Sequence, residues 1–120
     1  MFALAVLVFL AHVAEESLTG MQRALPELFG RPAWSAVQFL AFNAVWAAAF
    51  VATAFGIRPA RSFPVLAVLF FAIAGGLGNG AFHLALVIQR GEYFPGAWTA
   101  SLCLAVGVWL LCLLYRPEGR

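Results

Sequence analysis

The sequence has very little charge. Only 10% of its 120 residues are charged, and lysine is absent. A soluble domain carries about a quarter charged residues, so this chain has too few to cover the surface of a water-soluble globule. Two cysteines are too few for a secreted disulfide scaffold. A net charge of +2 without a basic run excludes a nucleic-acid footprint. These absences leave a small integral membrane protein, with membrane lipid rather than nucleic acid as its partner.

Apolar residues make up 64% of the chain, and they fall into four runs. A bilayer core of about 30 Å needs roughly 20 apolar residues in a helix. The runs predict spans at about residues 1–18, 34–57, 63–89 and 97–115, separated by proline, glycine and arginine. Residues 1–14 lack a basic start and a small-residue cleavage site, so we expect a span there rather than a signal peptide.

The predicted fold is all-α: a four-helix transmembrane bundle, up-down-up-down, in a single domain of residues 1–120. The connections are short, which favours antiparallel neighbours. With this topology, the face that holds both termini carries Arg58, Arg61, Arg116 and Arg120, and the other face carries Arg23, Arg31 and Arg90. The positive-inside rule then predicts cytoplasmic termini. Because the composition is rich in alanine and contains arginine without lysine, we expect a bacterial inner membrane protein.

Three polar residues interrupt the first predicted span: His12, Glu15 and Glu16. Fourteen residues precede Glu15, which is about 21 Å of helix. If the first helix starts at the membrane surface, both glutamates fall inside a core about 30 Å thick; if it sits higher or the bilayer thins, they lie at the interface. A carboxylate inside the core costs at least about 2.5 kcal/mol, so two adjacent ones need a compensating function.

The predicted topology brings further polar residues to the same half of the bundle. His12 lies three and four residues before the two glutamates, and Asn79 lies four residues before His83, so each set shares one helical face. The residues expected to converge are His12, Glu15, Glu16, Asn43, Asn79, His83, Tyr93 and Thr99. The opposite half of the bundle has nothing comparable, which makes this region the candidate site.

These residues resemble the hallmarks of the HXXEE family of small bacterial membrane proteins. The hallmarks read here as His12-Val13-Ala14-Glu15-Glu16, then His83, then Tyr93-Phe94-Pro95-Gly96. All three match in order, and the resemblance covers nearly the whole chain. It implies about four spans and supports the choice of site residues. It carries no established activity, so the chemistry has to come from the residue types.

Two histidines and one or two carboxylates can form the ligand set of a divalent metal. We expect zinc, with iron or manganese as alternatives. The predicted ligands are His12, His83 and one of Glu15 or Glu16, with the other glutamate as the general base. Among the other members of the set, Asn79 and Tyr93 are assigned catalytic hydrogen bonds, and Asn43 and Thr99 are assigned substrate contacts.

The leading hypothesis is a metal-dependent membrane hydrolase, or a related enzyme, that acts on a lipid-like or amphipathic substrate. The first alternative uses the same side chains without metal as a proton relay in a transporter or channel subunit. In that case a homo-oligomer would supply the substrate path that four spans lack. The second alternative is a structural role, in which the polar groups join helices by hydrogen bonds of about 0.6 kcal/mol each.

Two other features bear on the site. Gly76 and Gly80 form a small-xxx-small pair, which predicts close approach of another helix and would bring span one against span three. In residues 19–33, the residues Met21, Leu25 and Leu28 recur at helical spacing. This pattern predicts a short amphipathic segment, either a lid over the site or a plain connector.

Overall fold

The computed structural model describes residues 2–54 and 63–115, and it is all-helical over these residues. The helices are α1 (Phe2–Thr19), α2 (Met21–Leu28), α3 (Ala36–Ala54), α4 (Phe63–Phe70), a π-helical segment (Phe71–Gly78), α5 (Asn79–Arg90) and α6 (Ala97–Leu114). The all-α prediction is confirmed, and α1, α3 and α6 follow the predicted apolar runs closely. The predicted amphipathic segment is the helix α2.

The chain turns sharply between α1 and α2. Gly20 has φ +95°, a conformation that glycine adopts without steric cost, and the two helix axes differ by 82°. Met21, at the start of α2, packs with Phe39 of α3 and with Phe94 in a small apolar cluster. The bend therefore carries α2 across the bundle, beside the candidate site.

The third predicted span is one long helix with an internal change of winding. The π-helical segment Phe71–Gly78 continues into α5, and the backbone N–H of Asn79 donates to the carbonyl of Ala74, five residues earlier. Nothing in the apolar pattern predicted this segment. A π-helical turn changes which residues face a neighbouring helix, and such turns are frequent at functional sites. Here it directly precedes Asn79 and His83.

The main apolar core lies where α1, α3, the π-helical segment and α6 meet. Phe50 packs edge-to-face against Phe9 and Phe71, with ring centroids 5.1 and 4.8 Å away. Edge-to-face contact is a favoured arrangement for aromatic pairs. These rings hold α1 against the long third helix, and so align the polar residues farther along each helix.

The glycine pair packs against a different helix from the one expected. A Cβ on Gly76 would lie 2.7 Å from Cα of Gly107, and a Cβ on Gly80 would lie 2.7 Å from Cβ of Leu104. Both of these neighbours belong to α6. Close helix approach is therefore confirmed, but the prediction that the pair brings span one against span three is wrong.

Within residues 2–54 and 63–115, two helices are long and apolar enough to cross a membrane: Val68–Arg90 and Ala97–Leu114. A third span exists if the bent pair α1 and α2 counts as one, and the apolar stretch Ala36–Ala52 is shorter than a full span. The four-span, up-down bundle therefore stays a prediction. The orientation prediction rests on Arg58, Arg61, Arg116 and Arg120, which lie outside the described residues.

Candidate metal site

Three predicted ligands form a buried cluster between α1 and α5. His12 and Glu16 lie one turn apart on α1, and His83 comes from α5. The exposed fractions of the three residues are 1%, 6% and 0% respectively. Oε1 of Glu16 lies 3.3 Å from Nε2 of His12 and 3.2 Å from Nε2 of His83. One carboxylate oxygen therefore faces both imidazoles.

The spacing of these atoms fits a small metal ion. Zinc binds imidazole nitrogen and carboxylate oxygen at about 2.0–2.2 Å, so tetrahedral ligand atoms lie about 3.3–3.5 Å apart. The two measured separations from Glu16 are close to that value, and the potential ligand atoms of all three residues lie within 4.8 Å of one another. The three residues can hold one divalent ion and leave a fourth position for water or substrate.

His83 has unsatisfied hydrogen-bonding capacity. Both of its ring nitrogens are fully buried and make no hydrogen bond with the described residues; the polar neighbour of Nε2 is Oε1 of Glu16, at 3.2 Å, and Nδ1 faces no such group. Burying a polar group without a partner costs about 1–3 kcal/mol, so native proteins rarely do so without a reason. Phe94 packs beside the ring with centroids 5.7 Å apart and offers no acceptor. A metal ion bound to Nε2 would remove part of this cost.

His12 uses both of its ring nitrogens. Nδ1 lies 2.9 Å from Oγ1 of Thr99, and Nε2 lies 2.6 Å from Nδ2 of Asn79. The amide of Asn79 is a donor there, so Nε2 acts as an acceptor. A metal ion and the amide cannot share that lone pair. Metal binding to Nε2 of His12 would therefore break its hydrogen bond with Asn79.

Glu15 lies outside this cluster and has another role. Its carboxylate accepts hydrogen bonds from the backbone N–H groups of Trp98 (3.3 Å) and Thr99 (2.8 Å), in the first turn of α6. It also accepts from the hydroxyls of Thr99 and Tyr93, both at 2.5 Å. A carboxylate that accepts from such N–H groups stabilises the start of a helix. Glu15 thus caps α6 from a different helix.

The turn before α6 covers the cluster. Gly96 has φ +85°, and a Cβ there would lie 2.8 Å from Cγ of Glu16 and from Cε1 of His83, and 3.0 Å from Cε1 of His12. Only glycine fits this close approach. In the Tyr93-Phe94-Pro95-Gly96 motif, Tyr93 therefore binds Glu15, Phe94 packs on His83, and Gly96 lies against all three members of the cluster.

A largely apolar cavity of about 270 Å³ adjoins the site. Its polar lining residues are His12, Glu16, Asn43 and Asn79. Its aromatic lining residues are Phe9, Trp34, Phe39, Phe42, Trp46, Phe50, Phe70 and Phe82. Met21 and Leu25 of α2 also line it, as a lid would. An apolar cavity with a few converging polar groups is typical of a small-molecule site.

The remaining predicted residues fall into two places. Asn43 lines the cavity and donates Nδ2 to the carbonyl of Phe39 at 3.1 Å. Thr99 and Tyr93 are bound by Glu15 and do not line this cavity, and their substrate and catalytic roles stay predictions. Glu15 is likewise absent from both the metal-ligating group and the cavity lining.

Sequence reasoning missed three features of the site. The aromatic cavity had no recognisable spacing, because its lining comes from α1, α2, α3 and the long third helix. The capping role of Glu15 depends on where α6 begins. The approach of Gly96 had a signal in the Tyr-x-Pro-Gly motif, because a glycine after proline indicates a special backbone conformation.

The fold and the site together define an all-helical, strongly apolar chain with a buried His-Glu-His group. Comparison with family models adds a family to this description. Residues 3–110 match the model described as "Protein of unknown function with HXXEE motif", and the chain belongs to this family. No curated protein and no solved structure matches the chain.

Proposed function

We propose that this chain is an integral membrane protein in which His12, Glu16 and His83 bind one divalent metal ion, zinc first. The observation that carries the proposal is the buried carboxylate of Glu16, whose Oε1 faces Nε2 of both imidazoles while His83 makes no hydrogen bond with the described residues. A structural role predicts satisfied polar groups, because unsatisfied ones destabilise a fold.

The membrane placement is part of the same proposal. α1, α3 and α6 each extend about 27–29 Å at 1.5 Å per residue, close to the thickness of a bilayer core of about 30 Å. Together with the long third helix they supply four spans in an up-down order. α2, with its exposed Arg23 and Glu27, lies along the membrane surface.

The reaction proposed is hydrolysis of an amphipathic substrate. A metal ion at this site would lower the pKa of a bound water toward about 7. Oε1 of Glu16 faces both imidazoles, and we assign its other oxygen, Oε2, as the acceptor of the water proton. Glu15 is not this base, because its oxygens already accept from Tyr93, Trp98 and Thr99.

The cavity indicates the substrate class. Aromatic side chains dominate its lining, and the only ionisable residues in that lining are His12 and Glu16. Among the described residues, no arginine lines it to bind a phosphate. The site therefore suits an acyl or other apolar chain that carries an ester or amide, with the side-chain amides of Asn43 and Asn79 available to its polar atoms.

Metal content tests the proposal directly. Protein purified in detergent and loaded with Zn²⁺ should retain about one ion per chain, measured by elemental analysis after dialysis. Glu16→Gln and His83→Gln should lose the ion. Glu27→Gln, which removes an exposed carboxylate from α2, is the matched control and should retain it. A wild-type protein without stoichiometric zinc, iron or manganese would disprove the metal site.

One observation favours the second function, a proton relay. Contacts run from the partly exposed Tyr93 through Glu15, Thr99 and His12 to the buried Glu16. In proteoliposomes with an internal pH dye, a transporter would show proton flux that Glu15→Gln abolishes. Metal-independent flux of this kind would favour transport. Zinc retention without flux would favour the enzyme.

A further inference from the structure

We infer that Thr99, whose hydroxyl donates to the Glu15 carboxylate, is a positioning residue for His12. It holds His12 in its Nδ1–H form and so directs Nε2 into the cluster. The effect of Thr99 on metal affinity rests on the proposed function, whereas its effect on the His12 tautomer does not. Neither residue contacts the cavity, so the inference concerns how the ligand His12 is prepared rather than a further ligand.

The hydroxyl proton of Thr99 is assigned by its neighbours. Oγ1 lies 2.5 Å from Oε2 of Glu15, and an ionised carboxylate can only accept a hydrogen bond. The backbone N–H of Thr99 also donates to Oε2, at 2.8 Å, and keeps that oxygen in place. The hydroxyl therefore donates to Glu15 and has only lone pairs left for His12.

The tautomer of His12 follows from this assignment. Nδ1 lies 2.9 Å from an oxygen that can only accept, so Nδ1 carries the proton. Nε2 then presents its lone pair, with Nδ2 of Asn79 2.6 Å away and Oε1 of Glu16 3.3 Å away. The contact between Nδ2 of Asn79 and Nε2 of His12 supports the same tautomer. A side-chain amide nitrogen can only donate, so Nε2 accepts and carries no proton.

This arrangement explains why two glutamates are adjacent. Side chains of consecutive residues on a helix point about 100° apart. Glu16 therefore enters the cluster while Glu15 reaches the first turn of α6 and orders Thr99. Ligating histidines commonly donate their other N–H to an oxygen acceptor, and loss of such a partner typically lowers metal affinity 10- to 100-fold.

The test measures the tautomer and the metal affinity separately. The chain has only two histidines, so ¹⁵N-histidine labelling gives few signals, and His83→Gln identifies those of His12. The variants are Thr99→Val, which removes the hydroxyl at similar volume, and Thr99→Ser, which retains it. Ser101→Ala removes another hydroxyl of α6, one that donates to the carbonyl of Ala97, and serves as the control.

In metal-free wild type at a pH where both rings are neutral, Nδ1 of His12 should give a protonated-nitrogen signal. In Thr99→Val, the Nδ1–H form of His12 should no longer dominate, and Zn²⁺ binding should weaken about 10- to 100-fold. Thr99→Ser and Ser101→Ala should behave as wild type. A circular dichroism melt of each variant identifies any that fails to fold, and if Thr99→Val fails, the tautomer of His12 in wild type decides the inference.

An Nε2–H form in wild type, or an unchanged Nδ1–H form in folded Thr99→Val, would overturn the inference. The expected tautomer change in a protein that never binds zinc would support the positioning role while contradicting the proposed metal function. The two failures are therefore distinguishable.

Discussion

Glu15 and Glu16 are identical in chemistry and adjacent in sequence, yet their surroundings differ completely. Glu16 is 6% exposed and faces two imidazoles. Glu15 accepts four hydrogen bonds at the start of α6. The sequence predicted that the two residues bracket one site, and geometry alone assigns a different task to each.

Titration of the Tyr93 hydroxyl reports on its hydrogen bond to Glu15. Partial burial and the hydrogen bond to the Glu15 carboxylate raise the pKa of Tyr93 above its ordinary value of 10.0. Since its folded-state pKa exceeds the unfolded one, the associated stability is complete below about pH 10 and is lost as pH rises through the folded value.

Absorbance titration of Tyr115→Phe, which leaves Tyr93 as the only tyrosine, should give a midpoint above 10. Adding Glu15→Gln should move the midpoint back down, because the negative acceptor is gone. A midpoint at or below 10 in Tyr115→Phe would contradict the hydrogen bond.

Substitution of Gly96 tests whether the turn before α6 packs closely against the cluster. Gly96→Ala combines a left-handed backbone with a Cβ only 2.8 Å from Glu16 and His83, so we expect about 2–4 kcal/mol of destabilisation and loss of metal binding. Gly91→Ala is the matched control, because it has φ +68° but nothing within 4 Å of the added Cβ. Chemical unfolding and zinc titration of both variants decide the matter; equal effects would argue against close packing at Gly96.

At the scale of helices, α6 is the element on which the site depends. It packs on the π-helical segment and α5 through glycines, and its first turn receives the Glu15 carboxylate. The helices themselves were predictable from length and hydropathy. The π-helical winding was not predicted; the segment that adopts it packs against α6 through Gly76.

The glycine contact between Gly76 and Gly107 can be tested by filling it. A Cβ on Gly76 would lie 2.7 Å from Cα of Gly107 and 2.9 Å from the carbonyl oxygen of Cys103, so Gly76→Ala should destabilise the fold by about 1–3 kcal/mol. Gly75→Ala is the control, since its nearest neighbour is the Phe71 ring at 3.7 Å. Unfolding in denaturant should separate the two variants. Similar midpoints would contradict tight helix contact there.

At the scale of the whole molecule, hydrogen bonds between helices show which helix ends lie on the same side of the proposed membrane. Glu15, near the end of α1, bonds to Tyr93 and Trp98, so that end and the turn between α5 and α6 lie together. α2 follows α1 directly. The connection after α2 and the turn before α6 should therefore be on one side of the membrane, opposite the predicted cytoplasmic termini.

Cysteine labelling in intact cells checks this arrangement. In a background with Cys103→Ala and Cys112→Ala, Arg31→Cys and Glu92→Cys occupy exposed positions and should react with an impermeant maleimide. Ser62→Cys, in the connection predicted on the opposite side, should react only after permeabilisation. Labelling of Arg31→Cys and Glu92→Cys from different sides would contradict the proposed topology.

The sequence by itself determined the all-helical class, the approximate helix ranges and the ionisable residues worth examining, because apolar run length and polar interruptions are local properties. Only the tertiary structure decided that Glu16 rather than Glu15 faces the two histidines, that α6 receives the glycine contacts, and that an aromatic cavity adjoins the cluster. Those outcomes depend on how helices rotate and pack against one another, and residues far apart in the chain set that rotation jointly.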